Sequence, residues 1–511
     1  MTRYITLFFF GITIGFSQAP AIDWQKTIGG SNQDLASIIR KTTDDGYIIG
    51  GRSVSPISGD KTQNLIGGYD YWIVKTNISG NILWEKTIGG IGFDDIKDLV
   101  QTNDGGYLLA GDSFSNISGD KTENSRGYND FWIVKLNSNG VIEWQKTIGG
   151  AQYEILTEAQ QTSDGGYILG GYSNSDISGE KTENCRGNFD YWIVKLNASG
   201  NIEWQKTLGG NQHDWLNSIK PTSSGHYILA GKSYSGISGD RTISNSPPDS
   251  WILKLDANGT IIWQKSHDLD ETSTIIETSD GNYLVAGSRF GIYAPRTNSL
   301  SNQFYSTIFK INTDGILIWD HSIQPDGGDC TATDVVEGND GYYYSTNSQN
   351  SSYNTCITKI NFDGHMMWNK NFLATGEDYT YSIAITSDNS VVCAITTASD
   401  IFGDKTDNSK GLNDYWIVKF NPSALGTNET ENLNFVLYPN PVNDSFYIQA
   451  NSVVNDCDFS FYNTLGQKIM SFQKTITKTN SIDFPFPKGI YFLKITNPIT
   501  NQTQTIKINK S

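Results

Sequence analysis

The chain has 511 residues and a formal net charge of −17, from 37 Lys plus Arg against 54 Asp plus Glu. A surface this acidic repels phosphate backbones and anionic lipid, which argues against nucleic acid and inner-leaflet membranes as partners. With 51 glycines and 12% aromatic residues, the composition points to tight turns and large apolar rings rather than disorder.

Residues 1–19, MTRYITLFFFGITIGFSQA, join an early Arg to an apolar run from Ile5 to Phe16 and then to small and polar residues. That is the pattern of a secretory signal peptide. So short a run cannot cross a hydrocarbon core of roughly 30 Å, and no later run is long enough to span one. An exported, soluble, monomeric protein is expected. The five cysteines (Cys185, Cys330, Cys356, Cys393, Cys457) show no C-x-x-C spacing. A bridge among Cys330, Cys356 and Cys393 stays open, but the fold does not rest on one. The five histidines (His213, His226, His267, His321, His365) lack metal-ligand spacing.

From residue 20 to 421 the chain repeats itself, and repeats of this length decide the architecture. The string WQKTIGG starts at Trp24 and Trp144, WEKTIGG at Trp84 and WQKTLGG at Trp204, with weaker copies at Trp263, Trp319 and Trp368. Turns of the DGGY type end at Tyr47, Tyr107, Tyr167, Tyr227, Tyr283, Tyr342 and, degenerate, Val391. Variants of YWIVKLN place a lysine at Lys75, Lys135, Lys195, Lys254, Lys310, Lys359 and Lys419. Within one copy, EILTEAQQT, GYILGGYS, DYWIVKLN and NIEWQKTLG read as strands, starting from Glu154.

Four antiparallel strands per copy predict an all-β fold, a seven-bladed β-propeller. An array of separate small sandwiches would bury too little surface in each. The seventh copy has its third strand at 414–420 and no fourth strand after it, whereas AIDWQKT stands alone at 21–27. An N-terminal strand completing the last blade would close the ring and remove its open edges.

Residues 422–433, PSALGTNETENL, read as a polar linker, and 434–511 as a small β-sandwich. Apolar and polar residues alternate in FVLYPNPVND (435–444), FSFYNTLGQKIM (459–470), KGIYFLKI (488–495) and TIKINK (505–510). These strings resemble the type A sorting domain of the type IX secretion system of Bacteroidota. Pro439, Asn440, Pro441, Gly466, Gly489, Ile490, Tyr491 and Lys494 stand in that family's order and spacing. The resemblance implies Sec export, contact with the type IX machinery, passage across the outer membrane and usually removal of the domain. The cargo is then released or held at the cell surface. In the repeat region, KLNASGNIEW resembles the repeat of quinoprotein-type propellers, a likeness that covers the fold and implies no quinone.

No G-x-S-x-G, H-E-x-x-H or EF-hand loop is present, and no catalytic residue is assigned. Gly-Asp-Lys-Thr recurs at 59–62, 119–122 and 403–406, with Glu180 and Arg241 altering two further copies. An acid directly before the lysine, between strands, does not make a phosphate loop. Thirteen residues before each turn residue lies an acid: Asp34, Asp94, Glu154, Asp214, Asp270, Asp329 and Asp378. In a propeller this is a ring of carboxylates at one mouth of the central channel. They would cap turns, pair with the third-strand lysines, or hold a cation. No cofactor is implied; calcium at that ring is left open.

Of 13 tryptophans, Trp215 alone falls outside two repeat positions expected to pack blade on blade. Phe93, Tyr153 and His213 precede the acids of blades two to four. The long loops on that face suggest a shallow glycan site using Phe93, Asp94, Tyr153, Glu154, His213, Asp214 and Trp215. Its rings would stack on sugar faces while its acids bind hydroxyls. The expectation is a non-catalytic binding or adhesion module for a glycan or protein ligand. The alternative is an extracellular polysaccharide hydrolase or lyase, which would need a carboxylate pair beside Arg or His. The scattered Arg and His do not suggest one.

Overall fold

The computed structural model describes residues 21–243, 248–291, 293–294, 299–300, 304–323, 330–349, 355–372, 378–420, 436–438, 441–449, 454–463, 467–476, 479–496 and 503–510. The signal peptide, the linker, Asp329 and, among the sorting residues, Pro439, Asn440 and Gly466 lie outside the described residues. The chain forms two units, divided between Ala424 and Leu425.

In the first unit, seven four-stranded antiparallel sheets follow one another as blades of a propeller. The first complete blade runs Asp34–Lys41, Tyr47–Ser53, Asp70–Thr76 and Ile82–Ile88. Burial changes across a blade in a way the ring explains. First strands alternate buried and half-buried residues, because one face looks into the axial channel. Third strands such as Asp130–Leu136 are buried throughout, held between two neighbouring blades. The tight hairpins follow from the turn residues: Gly105 and Gly165 sit at φ 81° and 82° in the DGG turns, where a side chain would be strained.

The ring closes as expected. Ile22–Ile28 pairs antiparallel with Asp414–Phe420, placing Thr27 opposite Trp416. Trp24 then packs on Tyr47 of the first blade at 5.8 Å, as Trp84 does on Tyr107 and Trp204 on Tyr227. Third-strand tryptophans Trp72, Trp132, Trp192, Trp251 and Trp416 are fully buried. Tyr71, Tyr191 and Tyr415 reach across blade boundaries to donate to the carbonyls of Trp132, Trp251 and Trp72, at 3.1–3.2 Å. Each such ring removes 150–250 Å² from water, worth about 4–6 kcal/mol of transfer free energy before entropy is counted.

Every first strand carries a bulge, between Ala36 and Ile38 in blade one and at the matching place in each of the others. A bulge adds twist and re-aims side chains. Here it turns an extra residue toward the channel. Cys356 and Cys393 are buried and unbridged, so no disulfide joins the trio left open by the sequence. Among the described residues, no helix is long and apolar enough to cross a membrane.

The second unit has two sheets. Val436–Tyr438, Ser445–Gln449 and Thr479–Asp483 form one; Lys468–Ile476, Val454–Tyr462, Gly489–Thr496 and Thr503–Lys510 form the other. Phe446, Ile448 and Ile482 of the first meet Phe459, Phe461, Leu493 and Ile495 of the second in one core. Tyr491 is buried in it, its hydroxyl donating to the Pro487 carbonyl at 2.9 Å, whereas Pro441, Gly489 and Lys494 are exposed.

Candidate functional site

Asp34, Asp94, Glu154, Asp214 and Asp378 each open a first strand, and each is at most 1% exposed. Their carboxylates turn back into the chain. Asp34 accepts from the Gly30 amide at 2.7 Å and the Ser55 hydroxyl at 2.9 Å, and Asp94 repeats this with Gly90 and Ser115. Glu154 takes Gly150 and Ser173, both at 2.7 Å; Asp214 takes Gly210 and Ser235. Asp378 accepts from Ser399, and the half-buried Asp270 from the Phe290 amide at 2.6 Å.

These acids are caps, which corrects two expectations. Buried and already hydrogen-bonded, Asp94, Glu154 and Asp214 do not present oxygens to a sugar. Nor do the acids pair with the third-strand lysines. Lys75, Lys135, Lys195 and Lys310 instead take Asp44, Asp104, Asp164 and Asp280 of the DGG turns, at 2.6–2.9 Å. Among the described residues, no group of three or more His, Cys, Asp or Glu side chains is placed to hold a metal ion.

The Gly-Asp-Lys-Thr segment completes the same clasp. The Asp60 amide donates to the Gly29 carbonyl at 2.9 Å, and its carboxylate accepts from the Gly29 amide at 3.0 Å. Lys61 is buried beside the Trp72 ring, 5.5 Å from its centroid, and Lys121 and Lys181 match it on Trp132 and Trp192. Arg241 takes Asp249 with both oxygens, at 2.7 and 2.8 Å. Burial pushes the Lys61 and Lys181 ammonium groups down and that of Lys121 to about 8. The same burial, with a neighbouring acid behind it, raises Asp70, Asp130, Asp190 and Asp414 to about 6.

What this face leaves open is aromatic. Phe93 is 49% exposed and Tyr153 36%, although the acid after each is buried. Phe93 lies 4.7 Å from Tyr69 and meets Phe114 edge-on at 6.5 Å. Tyr128 and Tyr153 stack at 4.9 Å, 11° from parallel, and Phe189 stacks on His213 at 5.9 Å. Trp215, half-buried, stands among His213 and Tyr234, both at 5.4 Å, and Tyr172 at 6.3 Å. The expected rings thus fall in three separate groups, around Phe93, around Tyr153 and around His213 with Trp215. The expected acids, being buried, join none of them.

Sequence reasoning expected a central channel but missed the residues that line it. Its upper part is a funnel of about 510 Å³, with a row of unlike side chains along one wall. Arg52 and Lys97 both reach Asp95, at 2.8 and 2.6 Å, and Lys97 lies 3.7 Å from Asp112. Tyr381 and Tyr172 flank the row. Asp112, which also accepts from the Leu156 amide at 2.7 Å, is pushed up to about 7 by burial, against the pull of Lys97. Below lies a chamber of about 480 Å³ holding the Arg40–Asp98 pair at 3.0 Å, the Lys220–Glu158 pair and Asp334. Burial raises both Asp98 and Asp334.

A signal for this row exists in the repeats. Where the WQKTIGG strings barely change, the paired positions Leu35/Arg52, Asp95/Asp112, Ile155/Tyr172 and Trp215/Lys232 differ in every blade. A carboxylate pair beside an arginine, not expected from the scattered Arg and His, is therefore present.

Residues 436–509 match the secretion system C-terminal sorting domain. The second unit is thus an address for type IX secretion, and the chain is exported by that route to the cell surface or extracellular space. The sorting unit implies contact with the secretion machinery. Regulatory protein FlaEY of Caulobacter vibrioides is 22% identical over 226 residues, 41% of this chain and 24% of that protein. The chain therefore spans about a quarter of that relative's length. PorZ, an essential surface component of the type IX secretion system of Porphyromonas gingivalis, aligns with a TM-score of 0.39 and 11% identity, over 97% of this chain and 61% of its own. The Pan2 WD40 domain of Neurospora crassa aligns with a TM-score of 0.45 and 11% identity, over 79% and 97%.

Proposed function

We propose that this exported propeller is a non-catalytic binding module, made with a Sec signal by a member of the Bacteroidota and displayed at the cell surface, with a glycan as its ligand. One observation carries the reading: stacked rings, the exposed Tyr128 on Tyr153 and the half-buried Phe189 on His213, crown a loop face whose turns are hydrogen-bonded to buried acids beneath them. Rings left in water at fixed spacing suit the apolar faces of sugars. Rigid scaffolds presenting side chains from loops are the usual build of a binding surface. A glycan array probed with the whole chain and with the Tyr153→Ala/Trp215→Ala pair tests it. Retention should vanish in the variant while the melting temperature stays within a few degrees. A variant that unfolds, or one that still binds fully, refutes the site.

A second reading, an enzyme acting on extracellular polysaccharide, is favoured by Asp95 and Asp112. They are cross-strand partners in one register, with Arg52 and Lys97 against them. Release of shorter saccharides from an array hit would favour it.

A further inference from the structure

We infer that the funnel at the loop end of the channel is a second binding site, and that it takes the end of a saccharide carrying a carboxylate. The inference rests on the glycan reading above and names the chemical class that the channel would add to it.

Charge gives the class. In a chain of net charge −17, Arg52 and Lys97 converge on one funnel wall and share the single carboxylate of Asp95. Glu271, on another wall, already has Lys232 at 3.9 Å. Asp112 is spent on the Leu156 amide, and a carboxyl held near 7 is neutral in part of the population at physiological pH. Arg52 and Lys97 thus have Asp95 as their one close carboxylate, with Asp112 farther off at 3.7 Å, and a ligand carboxylate completes the pairing. A planar guanidinium and an ammonium converging on one point are the usual partners of such a group. The Tyr172 and Tyr381 side chains flank the row, offering ring faces and hydroxyl donors to the rest of the sugar.

Shape suits a chain end. The bulge residues Ser37, Lys97, Thr157, Asn217, Ser273 and Tyr381 line both the funnel and the chamber below, so they form the waist between them. Beneath the waist the chamber is lined by the Arg40–Asp98 and Lys220–Glu158 pairs. A terminal residue can enter the funnel as far as the waist, and a chain end is the part of a saccharide that we place here.

Proton linkage follows. A bound carboxylate beside Lys97 competes with Asp112, so binding takes up a proton and tightens as pH falls through 7. The other charged or titratable groups facing Asp112 are Asp95, Lys97, Tyr172 and Tyr71.

The test is titration calorimetry of the full chain with tetrasaccharides of galacturonate, glucuronate and mannuronate, each set against its methyl ester. At least one acid should bind tenfold or more tightly than its ester, and more tightly at pH 6 than at pH 8. That preference should disappear in Lys97→Met and in Arg52→Gln, both checked for an unchanged melting curve. Esters binding as well as acids, or no acid binding, overturn the proposal even if both variants fail to fold. Neutral hits on the array with no acid bound would leave the aromatic face standing and remove the funnel. A blank array together with blank titrations removes both.

Discussion

Gln25 accepts a hydrogen bond from the Trp416 indole at 2.8 Å, although the two stand 391 positions apart in the chain. Elsewhere that bond is local: Trp132 donates to Gln145, Trp192 to Gln205 and Trp251 to Gln264, at 3.0–3.2 Å. Closure of the ring therefore reuses the ordinary contact between third and fourth strands, with the two ends of the propeller supplying one strand each. Removing residues 20–30 should expose the edge of Asp414–Phe420 and unpack Trp24 from Tyr47. The loss should resemble a large core truncation, about 3–5 kcal/mol. Gln25→Ala alone leaves the Trp416 N–H buried without its partner, at about 1–3 kcal/mol, and Gln205→Ala should cost the same. An unchanged melting temperature in the deletion would contradict closure.

Stability should fall as pH rises from about 4.5 to 7. Asp70, Asp130, Asp190 and Asp414 have ordinary values of 3.8 when unfolded and about 6 when folded, because they are buried. A carboxyl raised on folding contributes fully below its unfolded value, and the contribution is lost as pH climbs through the folded one. Each is worth on the order of 3 kcal/mol at that limit. Asp112 acts in the same direction, up to about 7. In Asp44, Asp104 and Asp164 burial raises the carboxyl, but hydrogen bonds from a lysine, a threonine and a glycine amide outweigh it and lower it to about 2, so these acids act only below pH 4. Lys121, depressed to about 8, acts only above it. Asp130 is faced by Glu154, Lys121 and the Arg126 amide. Asp130→Asn keeps an acceptor for that amide and should remove about a quarter of the four-site slope in melting temperature. A slope identical to that of the unaltered chain would sink the assignment.

The blades were legible because each strand is short, alternating and bounded by its own turn. Glu154–Gln161, Tyr167–Ser173, Asp190–Leu196 and Ile202–Leu208 lie within the strings read as strands. The direction of the ring acids was not legible. Glu154 and Thr157, three residues apart, lie on opposite faces of one strand by ordinary alternation: one is buried as a cap and the other lines the channel beside Ile155. The period says that the two faces differ, but not which of them looks into the channel. The funnel row was hidden for another reason: Arg52 and Asp95, 43 positions apart, meet only across a blade boundary. In the second unit, Ser445–Gln449 and Thr479–Asp483 escaped notice because the first follows its neighbour so closely and the second is mostly polar.

Deleting residues 435–511 should leave the propeller folded and hold it in the periplasm. The sorting core of Phe446, Phe459, Phe461 and Leu493 is built, among the described residues, from side chains of the second unit. Fractionation with an antibody against the propeller is the measurement. Normal amounts of the truncated protein at the surface would mean that the strings in 436–509 are not the address.

Tyr153 and Glu154 are adjacent and should respond in opposite ways. Tyr153 is 36% exposed and its ring contact is the stack on Tyr128, so Tyr153→Ala should cost under about 1 kcal/mol. Glycan retention should nevertheless drop, since the stacked platform is gone; Tyr153→Phe keeps the platform and should keep most of the retention. Glu154 is fully buried, with the Gly150 amide and the Ser173 hydroxyl bonded to it. Glu154→Ala strands both donors and should cost about 2–4 kcal/mol. At a temperature where that variant is still folded, its retention should match that of the unaltered chain. The two measurements, melting and array binding, therefore cross. If Glu154→Ala instead abolished binding at unchanged stability, the acid would face the ligand after all, and the cap reading of the ring would be wrong.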